Sequence, residues 1–321
     1  MGAVLWGCSG SDQPAATTTG GSTPTGGAKP QIAVIPKGST HVFWKAVEAG
    51  AKKAGEEAGV EVIWKGPIKE DDRDSQIKTV EEFVTKGVQG ICLAPLDDTA
   101  LRAPVKDAQD KGIPVLIFDS ALKDDNTISF VATDNKAAGK MGGEKLAALL
   151  GGKGKVILMR YQEGSASTAE REEGFLEAMK ANPGIEVVSD NQYAGATVET
   201  AQATAENLLS KFPAGKFDGV FTPNESSTFG MLRALQGASL AGKVKFIGFD
   251  SSEPLYKGLV DGLIHALVVQ NPEKMGYLAV KTMAAQLKKE KIEKRIDTGA
   301  AVVAKEDLTD PEKEKLVKPQ Q

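Results

Sequence analysis

Short apolar runs alternate with segments of helical period from residue 30 almost to the C-terminus, the arrangement expected of βα units wound onto a parallel sheet. β-Branched and aliphatic runs at 32–35, 60–64, 90–94, 115–118 and 128–132 read as a first series of strands. Between the first two, Phe43, Val47, Ala51, Ala54 and Ala58 recur at spacings of three and four, which makes one face of that segment apolar and predicts a helix. Ile77, Val80 and Val84 repeat the pattern ahead of the third strand. A second series follows at 156–159, 186–188, 219–222 and 244–248, with helices over 175–180 and 201–211. Each series has the content of one doubly wound lobe, so the predicted fold class is α/β with two parallel-sheet lobes.

The two series repeat one plan. Gly87-Val88-Gln89-Gly90-Ile91 is followed by Pro95 and then by Ile117-Phe118-Asp119-Ser120. Phe217-Asp218-Gly219-Val220 is followed by Pro223-Asn224 and then by Gly248-Phe249-Asp250-Ser251. Gly90 to Ser120 is 30 residues and Gly219 to Ser251 is 32, so the Phe-Asp-Ser triplets fall at equivalent strand ends. Open α/β sheets bind ligands at the C-terminal ends of their strands. Lobes that face each other bring Asp119 and Asp250 to one cleft from opposite walls.

Composition narrows the chemistry. With 321 residues, 41% of them hydrophobic, the chain can bury a full core. Its 39 Lys and Arg against 43 Asp and Glu give a net charge of −4, which disfavours a nucleic-acid partner. Two histidines and two distant cysteines supply no zinc spacing, so no metal and no cofactor are expected. Cys92, inside an apolar run, reads as a small buried hydrophobe, and no disulfide to Cys8 is expected. The run Gly237-Ala238-Ser239-Leu240-Ala241-Gly242-Lys243-Val244 departs from a phosphate-binding loop: Val244 stands where Ser or Thr must reach magnesium, and the run leads into a strand instead of out of one. No Gly-x-Ser-x-Gly elbow is present. Paired carboxylates across a cleft leave a glycoside-processing enzyme as the catalytic alternative.

Residues 1–8 are apolar up to Cys8, and a Ser, Thr, Gly, Pro and Ala tract of linker composition follows to about residue 29. Leu5-x-Gly7-Cys8 resembles the end of a bacterial lipoprotein signal, in which the cysteine carries lipid, although Trp6 is bulky for that position and a basic start is missing. Residues 1–30 are therefore expected to be a lipid tether and linker, with membrane contact through the Cys8 lipid alone. The same tract has no helical period, which sets aside a DNA-binding head and with it a transcription regulator.

Several motifs in order carry a family resemblance. They are Gly38-Ser39-Thr40-His41-Val42-Phe43-Trp44, Gly112-Ile113-Pro114-Val115 leading into Phe118-Asp119-Ser120, and Ala132-Thr133-Asp134-Asn135. Gly164-Ser165-Ala166-Ser167-Thr168 ahead of Glu170-Arg171, then Asn224, Gly248-Phe249-Asp250 and Gln270-Asn271-Pro272, complete the set. Together they resemble the periplasmic sugar-binding proteins of the ribose-binding type, the solute receptors of bacterial sugar ABC importers, over nearly all of the chain from residue 30. The resemblance implies a periplasmic-binding-protein-like fold whose lobes are joined by a three-segment hinge near 133–136, 269–273 and 295–298. It implies a first lobe of 31–134 plus 271–295 and a second of 135–270 plus 296–321. It also implies a non-enzymatic, monomeric receptor in the periplasm or on the outer face of the cell membrane, which binds a monosaccharide or small polyol and delivers it to a permease.

Sugar chemistry accounts for the residue types. A sugar ring offers an apolar C–H face to an aromatic ring and a rim of hydroxyls that both donate and accept. Phe43 or Trp44 is expected to stack, Asp119 and Asp250 to accept, and Lys37, Asn224 and Gln270 to add polar contacts, with Ser39, His41, Ser120, Ser167 and Thr168 completing the candidate set. Each has a plainer alternative. Adjacent helical residues point about 100° apart, so only one of Phe43 and Trp44 need face the cleft. Asp119 suits a turn, Asp250 an N-cap before Glu253-Pro254, Asn224 a turn after Pro223, and Lys37 a solvated surface. Arg171, set among glutamates, reads as part of a solvated helix face. The chain also departs from the ribose pattern: Ala169 stands where the family commonly has Arg, and Ala94 where Asn is frequent. The ligand is then not held as ribose is. Lys37 and Lys65-Gly66-Pro67 resemble relatives that take xylose-like, rhamnose-like or furanosyl autoinducer ligands, and a receptor for such an autoinducer is the alternative reading.

Overall fold

The strands of the first series are β1 (Gln31–Ile35), β2 (Glu61–Trp64), β3 (Gly90–Leu93), β4 (Val115–Phe118) and β5 (Phe130–Ala132), and those of the second are β6 (Gly154–Arg160), β7 (Ile185–Tyr193), β8 (Gly219–Phe221), β9 (Lys245–Phe249) and β10 (Ala266–Gln270). Two late strands, β11 (Arg295–Asp297) and β12 (Ala300–Ala304), complete one sheet each. The computed structural model describes residues 29–123 and 126–318, so the predicted tether and Cys8 lie outside the described residues.

The first sheet runs β2-β1-β3-β4-β5-β11 and the second β7-β6-β8-β9-β10-β12, the same order position for position. All neighbours are parallel except β12, which pairs antiparallel with β10. Both faces of each sheet are covered. In the first, Ile32, Val34, Cys92, Leu116 and Phe118 point into one core while Ala33, Ile35, Ile91, Leu93 and Ile117 point into the other. Strands buried on both sides read as continuous apolar runs, which is why they were visible in the sequence. β7 extends well past its predicted end because Ser189 to Tyr193 form a largely exposed sheet edge with shifted register and need no apolar side chains.

Helices lie over both sheets: α1 (Val42–Ala58), α2 (Arg73–Lys86) and α3 (Arg102–Asp110), then α4 (Asn135–Leu149), α5 (Ala166–Lys180), α6 (Val198–Lys211), α7 (Glu225–Gly237) and α8 (Glu253–Val260), with α9 (Pro272–Leu287) and α10 (Pro311–Val317) at the end. The lobes repeat one another down to their glycines. A Cβ on Gly90 would stand 2.5 Å from the Met283 sulfur of α9, and one on Gly219 2.9 Å from Leu146 of α4. The α1–α9 pair packs backbone to backbone at Gly50 and Gly276, and α4–α5 does so at Gly139 and Gly174, where a Cβ would come within about 2 Å of a facing carbonyl oxygen.

The chain crosses between sheets three times. After β5 it enters α4, which packs on the second sheet; after β10 it enters α9, which packs on the first; after β11 it enters β12. β11 pairs residues 295–297 with β5, and Ile296 packs against the first lobe's core. The third crossing therefore falls at Thr298 and Gly299, a correction to the expected boundary at 295. Among the described residues no helix is long and apolar enough to cross a membrane, and no group of His, Cys, Asp and Glu is placed to hold a metal ion.

Candidate functional site

Asp119 and Asp250 reach the cleft by the same backbone device. Each extends its sheet one residue beyond the strand: the Asp119 N–H donates to Val131 O at 3.0 Å and the Asp250 N–H to Val268 O at 2.8 Å. Each then turns into the left-handed region, at φ 62° and φ 65°. Few non-glycine residues adopt this conformation, and Asp tolerates it better than most. The duplicated triplets thus carry duplicated geometry. Asp250 is no N-cap, since Ser252 occupies that position for α8.

The two carboxylates border one cavity of about 340 Å³, its open mouth included, between the strand ends of the two sheets. From the first lobe Lys37, His41, Phe43, Trp44 and Asp119 line it; from the second, Ser167, Thr168, Asn224, Asp250 and Gln270. Two candidates fall outside. Ser39 is exposed, with its N–H on Ile68 O, because the loop before α1 turns outward there. Ser120 is buried, but its Oγ accepts the Ser167 N–H at 3.0 Å and so joins the lobes without lining the cavity. Both aromatic residues of the pair face the site. Trp44 reaches both cavity and core, in edge contact with Phe43 and Phe118.

Lys37 is a buried charge, not a solvated one. Its Nζ lies 3.1 Å from Asp119 Oδ2 and donates to Ser167 Oγ at 2.9 Å and Ser165 Oγ at 3.3 Å, across the cleft. Asp250 accepts from Gln270 Nε2 at 2.7 Å and from the Glu225 N–H at 3.1 Å, with Arg171 3.9 Å away. Burial raises the Asp250 pKa, and Arg171 and Gln270 oppose the rise. Asn224 caps α7, its Oδ1 accepting from Ser227, while it also borders the cavity.

Four lining residues escaped the sequence reading: Glu70, Tyr161, Arg171 and Glu225. Arg171 corrects the expected solvated face. It is buried, donates from Nε to Asn135 Oδ1 and from an Nη to Pro223 O, both at 2.9 Å, and stacks 4.0 Å from the centre of the Phe249 ring. Glu70, on the loop between β2 and α2, accepts from Trp44 Nε1 at 2.7 Å, meets His41 Nδ1 at 2.7 Å and accepts from Tyr161 OH of the second lobe at 2.8 Å. Burial pushes the Glu70 pKa up, but His41, Lys37 and Trp44 more than offset it and hold the carboxyl at about 2. Burial likewise works to lower the His41 pKa, and the Glu70 carboxylate overcomes it, to about 9. His41 is therefore an imidazolium at neutral pH.

All three cations in the cavity already have partners: Lys37 with Asp119, His41 with Glu70, and Arg171 with Asn135 and the Pro223 carbonyl. What is left to a guest is a set of carboxylate oxygens, hydroxyls and amides beside two aromatic rings. That set suits a small neutral molecule rich in hydroxyls and gives an anion no unpaired cation.

Residues 32–291 match the family model described as a periplasmic binding protein domain. The ribose import binding protein of Haemophilus influenzae is 30% identical over 277 residues, 86% of this chain and 92% of that protein. A carbohydrate transporter solute-binding protein of Agrobacterium radiobacter, solved with D-arabinose, superposes with a TM-score of 0.86 at 35% identity, covering 91% of this chain and 99% of that one. An ABC transporter solute-binding protein of Agrobacterium vitis, solved with D-fucose, gives 0.85 at 37% identity, covering 90% and 100%.

Proposed function

Because this chain belongs to the periplasmic binding protein family, we propose that it is the substrate-binding protein of a bacterial sugar ABC importer, closing its two lobes on one monosaccharide or small polyol and presenting the closed form to the membrane permease. The observation that carries the reading is the duplicated left-handed Asp at equivalent strand ends, Asp119 and Asp250, aimed into one cavity from opposite lobes. In the role proposed, Phe43 and Trp44 cover the ring's C–H face, the two aspartates accept from hydroxyls, and Lys37, Asn224, Gln270, Ser167 and Thr168 complete the rim. A charge-assisted hydrogen bond is roughly twice as strong as a neutral one, which offsets the desolvation of each hydroxyl. Contacts from both lobes favour the closed form by no more than the ligand's differential affinity for it.

Calorimetry against D-ribose, D-arabinose, D-allose, D-fucose, D-xylose, L-rhamnose and a furanosyl autoinducer tests the reading. Heat from one of these with no turnover is the expected result, and the sugar that gives it names the ligand. The glycoside-processing alternative draws on one feature, the Glu225 carboxyl, which burial pushes up to about 7 beside Asp250. Silence from every ligand together with hydrolysis of an aryl glycoside would establish that alternative instead.

A periplasmic location follows from the family, and we infer a lipid anchor at Cys8, followed by a tether to about residue 30, that holds the protein at the outer face of the cell membrane. Replacing Cys8 by Ser is expected to move the protein from the membrane pellet to the soluble fraction. A wild-type protein already soluble would end the anchor hypothesis.

A further inference from the structure

We propose that Glu225 is a further ligand-contacting residue of the cleft, one that takes up a proton as the lobes close and so makes sugar binding tighter in mild acid than in alkali. The inference rests on the sugar-binding reading and adds a residue and a pH dependence to it.

The geometry sets Glu225 apart from the other acids of the cavity. Asp119 has Lys37, Asp250 has Gln270 with Arg171 nearby, and Glu70 has three donors. The Glu225 carboxylate accepts one long bond, 3.4 Å from the Phe43 N–H of the opposite lobe. It is the first residue of α7, where a helix N-terminus would steady its charge, but its own N–H is already given to Asp250 Oδ2 at 3.1 Å. The groups facing it are His41 and Glu70 from the first lobe and Asp250 from the second. Of the charges that act on it most, one is a cation, itself bound to Glu70, and two are carboxylates, while Arg171 lies across Asp250, 3.9 Å from Oδ2.

Burial pushes the Glu225 carboxyl up to about 7; His41 pulls against this and Asp250 adds to it. With the lobes apart, water replaces the first lobe around Glu225, and its pKa returns towards the ordinary 4.5. Closure near pH 6 then takes up most of one proton, and a protonated Glu225 can donate to a sugar oxygen as well as accept from a hydroxyl. Above pH 8 the closed cleft must hold the ion, and affinity falls. His41 does not mimic this at pH 6: its partner Glu70 sits on the same lobe, so it is protonated with the lobes open or closed.

The test is calorimetry with D-arabinose, D-fucose, D-allose and D-ribose on the wild type and Glu225→Gln at pH 5.5 and 8.5. Wild-type experiments at pH 6 in two buffers of different ionisation enthalpy complete it. For whichever sugars bind, the expected wild-type result is a loss of about tenfold or more in affinity from pH 5.5 to 8.5, with proton uptake approaching one at pH 6. Glu225→Gln should lose most of that pH dependence. No uptake in the wild type, or an equally steep loss in the variant, overturns the role of Glu225 while leaving sugar binding intact. The buffer comparison needs no variant, so a misfolded Glu225→Gln does not blunt the test. Silence from all four sugars at both pH values would defeat the sugar-binding reading itself, and this inference with it.

Discussion

Asp250→Ala is expected to weaken sugar binding by more than tenfold, and Asp119→Ala to do the same from the other wall. The aspartates carry the largest effect because each removal acts twice. A ligand hydroxyl loses a charged acceptor, and the protein groups that the carboxylate held are left in a closed, dry cleft. For Asp250 those groups are the Gln270 amide at 2.7 Å and the Glu225 N–H at 3.1 Å, with the Arg171 guanidinium losing its nearest carboxylate. For Asp119 the group is the Lys37 ammonium at 3.1 Å. An unsatisfied buried polar group costs about 1–3 kcal/mol and a bond to a charged group contributes about 1.5–3 kcal/mol, so the sum exceeds the roughly 1.4 kcal/mol that a factor of ten requires. Asp250→Asn, which keeps shape and one acceptor, should fall between wild type and alanine. Calorimetry with the sugar identified from the panel, alongside thermal melts to confirm folding, reads all three. Unchanged affinity in both alanine variants would refute the site assignment.

The aspartates were legible in the sequence because a repeat shared by the two lobes marks them twice, and strands buried on both faces announce themselves by uninterrupted apolar runs. Other residues of the site lacked such a signal. Glu70 sits in the polar stretch Lys69-Glu70-Asp71-Asp72, where nothing local distinguishes a buried carboxylate from its solvated neighbours. Its burial is created by Trp44 and His41 from one part of the chain and Tyr161 from another, 91 residues away. Arg171 misled for the same reason. Its neighbours on α5 are glutamates, yet a turn of 100° per residue lets Arg171 and Glu172 go inside while Glu173 stays exposed. One signal was available: the Gly139 and Gly174 contacts press α5 against α4 at Arg171, and small residues at helical spacing in both segments mark a close crossing. Ser39 was the opposite error, a hydroxyl beside the right motif on a turn that faces solvent.

Glu70→Gln is expected to lower the His41 pKa from about 9 and to destabilise the protein by roughly 3–5 kcal/mol near pH 6, the usual result of breaking a buried ion pair from one side. The Glu70 carboxylate is the main influence that overcomes the desolvation of His41, so without it burial is opposed only by the weaker pull of Glu225 and Asp250. A glutamine also puts an amide NH2 where Glu70 accepts from Trp44, Tyr161 and His41, so at least one of these meets a donor in place of an acceptor. The pH window follows from the two shifts. His41 is raised, so its contribution is full below 6.5 and is lost as pH climbs through about 9. Glu70 is depressed, so its contribution is full above 4.5 and is lost as pH falls through about 2. The stability gap between wild type and variant should therefore be widest from about pH 4.5 to 6.5 and should narrow on both sides. Denaturant unfolding from below pH 4.5 up to about pH 9, with the His41 ring followed by NMR, measures both quantities. A His41 that titrates unchanged, or a gap flat with pH, would mean that the pair is not charged. Because Tyr161 of the second lobe donates to the same carboxylate, the variant should also close less readily on a bound sugar than its loss of stability alone explains.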